Sequence, residues 1–421
     1  MLTPRLLESK NMSYQPEVTI VGAGMIVHDQ LLPSLYQLQR LGRIGKITVC
    51  DARRRAVEGL AKAEDIVRAF PERAFRAYPD SGDLDTLQPD VSRKVIEAMP
   101  PRQIVVAAVP DQLHYSVIMT ALRNNQNVCT VKPLVLRHEQ ALEIEREALS
   151  RGLVVGIEYH KRFDDRSLMA RRKYREGWFG EFRLGTARLF EKWYYRHSNF
   201  QNWMTTENSD AFTYIGCHYV DIVHFITGLL PTAISLFGIR DRYPNGKEGF
   251  LWTDARVLWS NGACLNVQNG LGFPDAAPGT NTQGMMLYCS GADVGGLIEH
   301  HDQFRGLKYS YLKQPGGDGA TIYAEPSPDY FQYVDVGGPG FVPIGYGYRS
   351  VEHIIGNCIR VGAVDSLEER QRLLREIDAA GIMATPANSA YNELVLEAGR
   401  ESILHGGREV QIEHHKSPAA V

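Results

Sequence analysis

Short apolar strands alternate with amphipathic helices over the first 160 residues, and few folds accommodate that order. Runs rich in valine and isoleucine recur at 17–24, 46–51, 102–111 and 126–133. The segments between them carry apolar residues at helical spacing. Strands that are apolar on both faces indicate a parallel sheet covered by helices on both sides, and right-handed connections make such a sheet doubly wound. We therefore predict an N-terminal α/β domain with a doubly wound parallel sheet.

The composition of the chain excludes several classes of protein. Its 421 residues include 46 basic and 49 acidic side chains, a formal net charge of −3, so we expect neither nucleic acid nor a membrane as a partner. No apolar run has the length of a signal peptide or a membrane-spanning helix. Six cysteines are scattered singly without a CxxC pair, which is typical of reduced thiols. These features predict a cytoplasmic protein.

The pattern changes at about residue 182. Strand-like runs then follow one another, separated by turns rich in Gly, Asn, Asp and Pro. Consecutive strands of this kind indicate a largely antiparallel open sheet. Helices are predicted over about 210–227 and within 365–403. We therefore predict a C-terminal α+β domain with an open, mainly antiparallel sheet.

A glycine-containing turn follows the first predicted strand. Gly22 permits a tight turn, and Gly24 allows the backbone to approach a pyrophosphate at the start of the helix that Met25 and Ile26 begin. Val27 occupies the place of the third glycine in the G-x-G-x-x-G/A pattern, which weakens the match. The turn predicts a dinucleotide-binding site.

The residue that ends the second predicted strand bears on the choice of dinucleotide. Asp51 can accept hydrogen bonds from both ribose hydroxyls of an adenosine, and its charge repels a 2′-phosphate, so we predict NAD. Arg53 follows at once, together with Arg54 and Arg55, and arginines at this place can accommodate the phosphate. NADP therefore stays open as an alternative.

Several motifs between residues 104 and 230 resemble those of the glucose–fructose oxidoreductase/inositol dehydrogenase family (Gfo/Idh/MocA). The family's T-P-N-x-x-H motif is matched at Pro110, Asp111 and His114, and its E-K-P motif at Lys132 and Pro133. Its Y-N-x-R-F and D-x-G-x-H-x-x-D motifs are matched at Tyr159, His160, Arg162, Phe163, Gly216, His218 and Asp221. The resemblance implies an N-terminal Rossmann domain, and a second domain whose sheet joins subunits into a homodimer or homotetramer.

Two positions depart from the family's motifs. Val131 replaces the glutamate before the lysine, and Tyr214 replaces the aspartate four residues before the histidine. The second change removes one member of the family's Lys/Asp/His group and leaves a phenol. Asp210 or Asp221 is a candidate for the missing carboxylate.

The resemblance also implies catalytic roles for Lys132 and His218. Lys132 follows a central strand at the carboxyl end of the sheet, where a lysine suits acid–base work on an alcohol. His218 is a natural proton relay. Tyr214 lies one predicted helical turn before His218, and either takes part in catalysis, hydrogen-bonds the substrate or only packs. His160 and Trp193 are predicted substrate contacts beside Lys132, Tyr214 and His218.

Further residues complete the predicted sites. Pro110, His114 and Lys132 are expected to line the cofactor site. His218, Asp221 and His224 recur every three residues, which spreads them around a helix, so we expect no metal site. The histidine-containing run 299–302 is expected to be an exposed loop.

Together, residues and resemblance predict an NAD(P)-dependent oxidoreductase acting on a secondary alcohol of a sugar, cyclitol or sugar derivative. Two alternatives stay open: an NAD-dependent enzyme that cleaves glycosides by transient oxidation and elimination, and a non-catalytic sensor of dinucleotide or sugar. The predicted organisation is a loose extension (1–14), a dinucleotide-binding domain (15–158), a substrate-binding and oligomerisation domain (159–413) and a tail (414–421). Loops within 313–341 are expected to cover the substrate or a neighbouring subunit.

Overall fold

A parallel sheet flanked by helices forms the N-terminal part of the structure, a computed structural model that describes residues 14–277, 279–301, 304–309 and 323–414. In chain order its elements are β1 (Val18–Val21), α1 (Leu32–Arg40), β2 (Ile47–Cys50), α2 (Arg54–Ala61), α3 (Glu64–Ala69), β3 (Arg76–Tyr78), α4 (Val91–Glu97), β4 (Ile104–Ala107), α5 (His114–Arg123), β5 (Asn127–Val131), α6 (His138–Arg151) and β6 (Val155–Glu158). The strand order is β3-β2-β1-β4-β5-β6, and the paired strands are parallel.

This order confirms the prediction of a doubly wound parallel sheet. β1, β4 and β6 are buried at every position, because helices cover both faces of the sheet. One helix differs from the prediction: the apolar spacing predicts a single helix over 53–70, but the structure divides this segment into α2 and α3. Ala63 is extended there, with ψ 112°, and Glu64 and Asp65 begin the new helix, where acidic side chains are favourable.

A second sheet follows, and it is mostly antiparallel. The remaining elements are α7 (Asp165–Arg175), β7 (Glu181–Lys192), α8 (Phe200–Trp203), α9 (Cys217–Thr227), β8 (Pro231–Arg242), β9 (Glu248–Trp259), β10 (Cys264–Phe273), β11 (Asn281–Ser290), β12 (Gly295–His301), β13 (Phe304–Tyr309), β14 (Tyr323–Pro328), β15 (Gln332–Val334), β16 (Val342–Ile344), α10 (Tyr346–Gly362), α11 (Leu367–Ala380), α12 (Pro386–Ser389), α13 (Tyr391–Leu404) and β17 (Val410–Gln411). In the described part of the chain the sheet has the order β12-β11-β7-β10-β9-β8-β17. β7 and β10 pair in parallel and the other neighbours are antiparallel, which confirms the predicted open sheet.

The two faces of this second sheet have different environments. One face packs against α9 and α13 and forms a continuous core with the first sheet's helices. The opposite face leaves large apolar side chains half exposed: Leu184, Phe237, Ile239, Tyr288 and Leu297. An open face of this kind is a candidate contact surface.

The expectation of an exposed loop at 299–302 is wrong for the residues that the structure describes there. His300 lies in β12 and is buried, with its Nε2 3.2 Å from Asp164 Oδ2. The alternation along β12 turns Ile298 and His300 inward and leaves His301 exposed.

C-terminal helices connect the two sheets. Apolar residues of α10, among them Val351, Ile354 and Cys358, share a core with β1 and α1 of the first sheet. The predicted boundary at 158/159 stays a prediction, and the extension and tail lie outside the described residues apart from Tyr14 and His414. No helix in the described ranges is long and apolar enough to cross a membrane.

Candidate active site

The glycine turn after β1 has a geometry that fits a dinucleotide. Gly22 has a φ of 106°, and a Cβ there would collide with the carbonyl oxygen of Ala108, so the turn needs glycine. A Cβ on Gly24 would meet nothing within 4 Å, which leaves open space beside the backbone. Helical backbone begins at Met25 and continues through a π-helical segment, Val27–Leu31, into α1. The turn therefore presents a free backbone at a helix start, which suits a pyrophosphate.

Asp51 lies next to this turn. Its Oδ2 accepts a hydrogen bond from the backbone N–H of Ala23 at 3.1 Å, and its Oδ1 accepts one from Arg53 at 3.0 Å. The carboxylate is thereby fixed beside the open space and keeps lone pairs for a ribose. The guanidinium of Arg54 donates a hydrogen bond to the backbone carbonyl of Gly82, and that of Arg55 donates to the carboxylate of Asp85. The side chain of Arg53 is exposed. Arg53 is the arginine of the three whose side chain makes no hydrogen bond or ion pair within the described residues.

Lys132 follows β5 at the same edge of the sheet. Its Nζ donates a hydrogen bond to the backbone carbonyl of Tyr214 and lies 4.0 Å from the centre of the Tyr214 ring. His114, predicted to line the cofactor site, is fully buried, with its ring nitrogens 2.7 Å from the carbonyl oxygen of Pro133 and 2.9 Å from that of Val109. His114 therefore joins the turn at Pro110 to the turn that carries Lys132, and this fixes the backbone on both sides of the lysine.

Tyr214 lies in a π-helical segment, Phe212–Gly216, that leads into α9. Such segments are rare and occur often at functional sites. The Tyr214 ring packs edge-on against Phe200 at 4.8 Å and Trp203 at 5.9 Å between ring centres. Burial raises the pKa of Tyr214 well above its usual value, so the phenol stays protonated at neutral pH. It can donate a hydrogen bond but does not act as a base there.

The rings of His218 and His160 are neighbours in the site, inclined to each other by 42°. Their ring centres are 4.5 Å apart, and His218 also meets the edge of Tyr159. Burial lowers the pKa of His218 well below its usual value, and the nearby His160, Lys132 and Lys161 lower it further. His218 is therefore neutral at pH 7, and its buried Nδ1 has no hydrogen-bond partner among the described residues.

His160 is held by a buried carboxylate at the end of β6. Its Nδ1 is 2.9 Å from Oε2 of Glu158, whose other oxygen accepts hydrogen bonds from Gln30 and Ser350. The ring of Tyr330 covers His160 at 4.8 Å, and the Tyr330 hydroxyl donates to Gln30. Because Gln30 lies in the π-helical segment after the glycine turn, this network connects the dinucleotide turn to the pair of histidines.

A second lysine borders the site. Lys161 is buried, donates a hydrogen bond to Gln283 of β11, and has its Nζ 5.5 Å from the ring centre of Tyr219 and 5.7 Å from that of Tyr346. Lys132 and Lys161 both act electrostatically on the carboxyl group of Glu191, at the end of β7. The hydrogen bond from Lys161 to Gln283 therefore joins the carboxyl end of the first sheet to β11 of the second sheet.

The two carboxylates considered as substitutes at Tyr214 have other partners. Asp221 forms a bidentate ion pair with Arg162, at 2.6 and 2.8 Å, and accepts a hydrogen bond from Tyr391. Asp210 accepts hydrogen bonds from the backbone and hydroxyl of Thr213. Asp221 thus joins the segment after β6 to α9, and Asp210 caps the π-helical segment. Neither replaces the missing aspartate.

Trp193 and Met25 lie at the rim of the site. Trp193 is 43% exposed, and the guanidinium of Arg196 stacks on its ring at 3.9 Å. Met25 packs against a cluster from the second domain that includes Tyr195, Phe200 and Trp203, whereas Ile26 packs into the first domain. The helix start at Met25 therefore touches both domains.

Four residues of this site were not among the sequence predictions: Glu158, Lys161, Glu191 and Tyr330. Glu158 ends β6 and obeys the same carboxyl-end rule as Lys132, so that rule could have indicated it. Tyr330 falls within the segment 313–341, of which residues 313–322 lie outside the described residues. Lys161 occupies the unspecified position of the Y-N-x-R-F motif, and Glu191 lies in none of the motifs, so nothing in the sequence marked either residue.

Comparison with known proteins gives the family of the first domain. Residues 17–159 match the model of the Gfo/Idh/MocA oxidoreductase family, described as an NAD-binding Rossmann fold. The N-terminal domain belongs to the Gfo/Idh/MocA family. NAD is therefore its cofactor, in agreement with the prediction from Gly22, Gly24 and Asp51.

Curated relatives share limited parts of the chain. D-glucoside 3-dehydrogenase of Escherichia coli (strain K12) is 24% identical over 227 residues, 53% of this chain and 57% of the relative. From the same organism, 2,7-anhydro-N-acetylneuraminate hydratase is 22% identical over 156 residues, 37% of this chain and 40% of the relative. The match therefore spans less than two thirds of the length of either relative.

Solved structures share the fold of both domains. GenD2 from gentamicin A biosynthesis, in complex with NAD, superposes with a TM-score of 0.66 at 16% identity, covering 98% of this chain and 100% of that one. Scyllo-inositol dehydrogenase from Lactobacillus casei, with NAD(H) and scyllo-inositol, gives 0.62 at 14% identity, covering 94% and 99%. The fold of these two structures thus extends over the second domain of this chain as well.

Proposed function

We propose that this protein is an NAD(P)-dependent oxidoreductase that acts on a secondary alcohol of a sugar, cyclitol or sugar derivative. One observation carries the proposal: at the carboxyl edge of the sheet that also holds the glycine turn, Lys132 donates a hydrogen bond to the backbone carbonyl of Tyr214, one helical turn before the neutral His218. The relatives support the substrate class, because one is named as a glucoside dehydrogenase and one solved neighbour holds scyllo-inositol.

The residues divide the work of oxidising an alcohol. NAD, when bound, would supply the hydride acceptor for the substrate carbon, and the protein handles the hydroxyl proton. Lys132 is the proposed acid–base group, and His218, being neutral, accepts a hydrogen bond from a substrate hydroxyl. The phenol of Tyr214 donates a hydrogen bond, while His160 and Trp193 contact the sugar.

The cofactor site is proposed along the carboxyl edge of the first sheet. Gly22, Gly24, Met25 and Ile26 hold the pyrophosphate, and Asp51 holds the ribose. Further proposed contacts along this edge are Arg53, Pro110, His114 and Lys132. Asp51 favours NAD over NADP, since a carboxylate repels a 2′-phosphate.

The decisive experiment combines cofactor analysis with a sugar panel. Nicotinamide content of the purified protein is measured first, and NADH absorbance is then followed with sugars, glycosides and cyclitols. NADH formation that Lys132→Ala abolishes and Lys62→Ala, on the exposed end of α2, preserves supports the dehydrogenase. Absence of NADH formation with every compound, in protein shown to bind NAD, contradicts it.

A redox-neutral reaction is the second candidate, favoured by the relative named as a hydratase. It predicts that cofactor co-purifies and that a glycoside is consumed without net NADH. Cofactor binding with neither NADH nor substrate consumption would instead indicate a sensor. Product analysis on the same panel separates these outcomes.

We further propose that a second copy of the chain covers the open face of the second sheet. Thr186, Arg188, Asp254 and Gln268 line a depression of about 580 Å³ on that face, beside the half-exposed Tyr288. Tyr288→Glu is expected to convert a dimer or tetramer to monomers in light scattering after gel filtration, because a charge there would be buried unpaired. Val67→Glu, on the exposed side of α3, is the matched control, and an unchanged mass for Tyr288→Glu contradicts the proposal.

A further inference from the structure

The carboxyl group of Glu158 is buried at the end of β6, and both of its oxygens have partners. Oε1 accepts hydrogen bonds from the side-chain amide of Gln30, at 2.7 Å, and from the hydroxyl of Ser350. Oε2 lies 2.9 Å from Nδ1 of His160, a distance at which one of these two atoms must carry a proton. An imidazole is a stronger base than a carboxylate, so the proton resides on Nδ1.

The orientation of the Gln30 amide supports this assignment. Its Nε2 also donates to the backbone carbonyl of Gly347, at 2.9 Å, and its Oε1 accepts from the hydroxyl of Tyr330. A carbonyl oxygen cannot donate a hydrogen bond, so the donor end of the amide must face Gly347 and Glu158. Gln30 is fully buried, which keeps water from taking its place. Two donors are thus fixed on Oε1 of the carboxylate, and Oε2 is left for the imidazole.

The other ring nitrogen of His160 is available to a ligand. Its Nε2 makes no hydrogen bond within the described ranges, and the side chain is 13% exposed. The rings of His218 and Tyr330 lie against it, with ring centres at 4.5 and 4.8 Å. In a neutral imidazole that carries its proton on Nδ1, Nε2 is the acceptor. The contact with Glu158 therefore decides which nitrogen of a neutral His160 offers a lone pair to the site.

Acceptors are scarce among the neighbouring groups. Lys132 donates through Nζ, and the protonated phenol of Tyr214 stands where the family's motif has an aspartate. The carboxylate of Asp221 is bound in its ion pair. A sugar hydroxyl has a proton to donate, and leaving it without an acceptor in a buried site is costly. His218 and His160 therefore matter as acceptors on this side of the site.

We propose that Glu158 is a positioning residue that keeps the proton of a neutral His160 on Nδ1, so that Nε2 accepts a hydrogen bond from a substrate hydroxyl. This rests on the proposed oxidation of a sugar or cyclitol, in which His218 accepts a hydrogen bond from another hydroxyl. The ring centres of the two histidines are 4.5 Å apart, so the two hydroxyls lie on adjacent carbons. The substrate is thus a polyol with neighbouring hydroxyl groups that both donate, and Glu158 supplies through His160 the carboxylate that is missing at Tyr214.

Nitrogen NMR reads the tautomer directly and needs no activity. In protein labelled at its histidine nitrogens, protonated and unprotonated ring nitrogens give separate signals, and the signals lost in His160→Asn are those of His160. At mildly alkaline pH the wild type should show His160 protonated at Nδ1 alone. Glu158→Gln should reverse the tautomer, because the amide oxygen stays with Gln30 and Ser350 and the amide N–H then donates to Nδ1.

Ser350→Ala is the matched control for the tautomer. It removes a donor from Oε1 of Glu158 and leaves the contact between Oε2 and His160 in place, so it should keep the wild-type tautomer. A wild-type His160 that is protonated at Nε2, or at both nitrogens, overturns the proposal. A Glu158→Gln protein that keeps the proton on Nδ1 overturns it as well.

Kinetics with fluorinated substrates test the direction of the hydrogen bond, because fluorine in place of a hydroxyl has no proton to donate. At the hydroxyl that His160 accepts, this replacement should raise the wild-type KM about tenfold and should matter less in Glu158→Gln, whose Nε2 donates. With the parent substrate, Glu158→Gln should raise KM about tenfold and leave kcat within about threefold of wild type. The bond is made equally in the ground state and the transition state, so its loss appears in KM.

Glu181→Gln, at the exposed start of β7, is the kinetic control and should keep both wild-type constants. An equal fluorine penalty in wild type and Glu158→Gln at every hydroxyl overturns the proposal. If no alcohol is oxidised, the proposed function fails by itself, while the NMR measurement still decides whether Glu158 positions His160.

Discussion

The two sides of the candidate site are built in different ways. On the side of the first sheet, Lys132 follows β5 and His114 begins the helix after the neighbouring parallel strand β4, and two carbonyl contacts of His114 join the turns after these strands. On the side of the second sheet, Glu191, Tyr214 and His218 come from a strand, a π-helical segment and a helix. A parallel sheet aligns its functional turns by topology, whereas the mixed sheet depends on packing to do so.

The two sides also differ in their electrostatics. Asp51 and Arg53 lie at the surface, where solvent screens their charges. His218 and Tyr214 are enclosed, and burial keeps both of them neutral at pH 7. The first side is therefore suited to binding a charged cofactor, and the second to holding neutral donors and acceptors around a sugar.

The largest effect is expected from the first side. Lys132→Ala should lower kcat/KM by about 10²- to 10⁴-fold, because it removes the acid–base group without altering the core. NADH formation on the best substrate of the panel measures this, with Lys62→Ala as the control. Wild-type activity in Lys132→Ala would show that the chemistry resides on the second side.

The sequence could predict most of the first side and little of the second. The valine-rich runs predicted the positions of β1, β2, β4 and β5. Because ligands bind at the carboxyl ends of parallel strands, these positions also predicted that Lys132 lies in the site. The sequence did not indicate Glu191, because buried and exposed residues alternate along β7 as in an ordinary half-exposed strand. The end of such a strand has no pattern that marks a functional residue.

The carboxylates near His218 illustrate the same limit. Local spacing made Asp210 and Asp221 equal candidates for the place that Tyr214 vacates. Their partners, Thr213 for Asp210 and Arg162 for Asp221, depend on contacts that no single-sequence pattern specifies. Tyr214 lies in a π-helical segment, where side chains are spaced differently around the helix axis than in an α-helix. The α-helical spacing of Tyr214 and His218 therefore could not establish that their side chains share one face of the helix.

The next largest effect concerns the ion pair that joins the two sides. Asp221→Asn should lower the free energy of unfolding by about 3–5 kcal/mol, because Arg162 stays buried without its counter-charge. Urea denaturation measures the loss. Asp365→Asn, which removes an exposed partner of Arg102, is the control and should cost less than about 1 kcal/mol. Equal losses in the two variants would mean that the buried pair does not join the domains.

A smaller, pH-dependent effect is expected where α13 meets the loop after Lys132. Glu393 is fully buried, its oxygens have no partner of good geometry in the described part of the chain, and burial raises its pKa to about 8 despite the nearby backbone N–H groups of Leu134 and Val135. The native state then keeps a proton that the unfolded state releases above about pH 4.5. Stability should therefore fall as the pH rises from there to about 8.

Denaturation at a series of pH values checks this contribution. Glu393→Gln should be more stable than wild type at the alkaline end and should show a flatter profile, since its amide does not ionise. Glu397→Gln, one turn further along α13 and paired at the surface with Arg137, is the control. An identical pH profile for Glu393→Gln and wild type would place the pH dependence elsewhere.

The smallest effect isolates the first side from the second. Asp51→Ala should weaken NAD binding about tenfold, because the ribose loses a carboxylate acceptor worth about 1.4 kcal/mol. NADP should be affected less or bind better, since the charge that repels its 2′-phosphate disappears while Arg53 remains. Calorimetric titration of both dinucleotides measures the ratio, with Asp85→Ala, which frees Arg55, as the control. Because Asp51 touches none of the residues around His218, kcat of Asp51→Ala at saturating NAD should stay near the wild-type value. A large fall in kcat would show that the two sides are coupled through the cofactor.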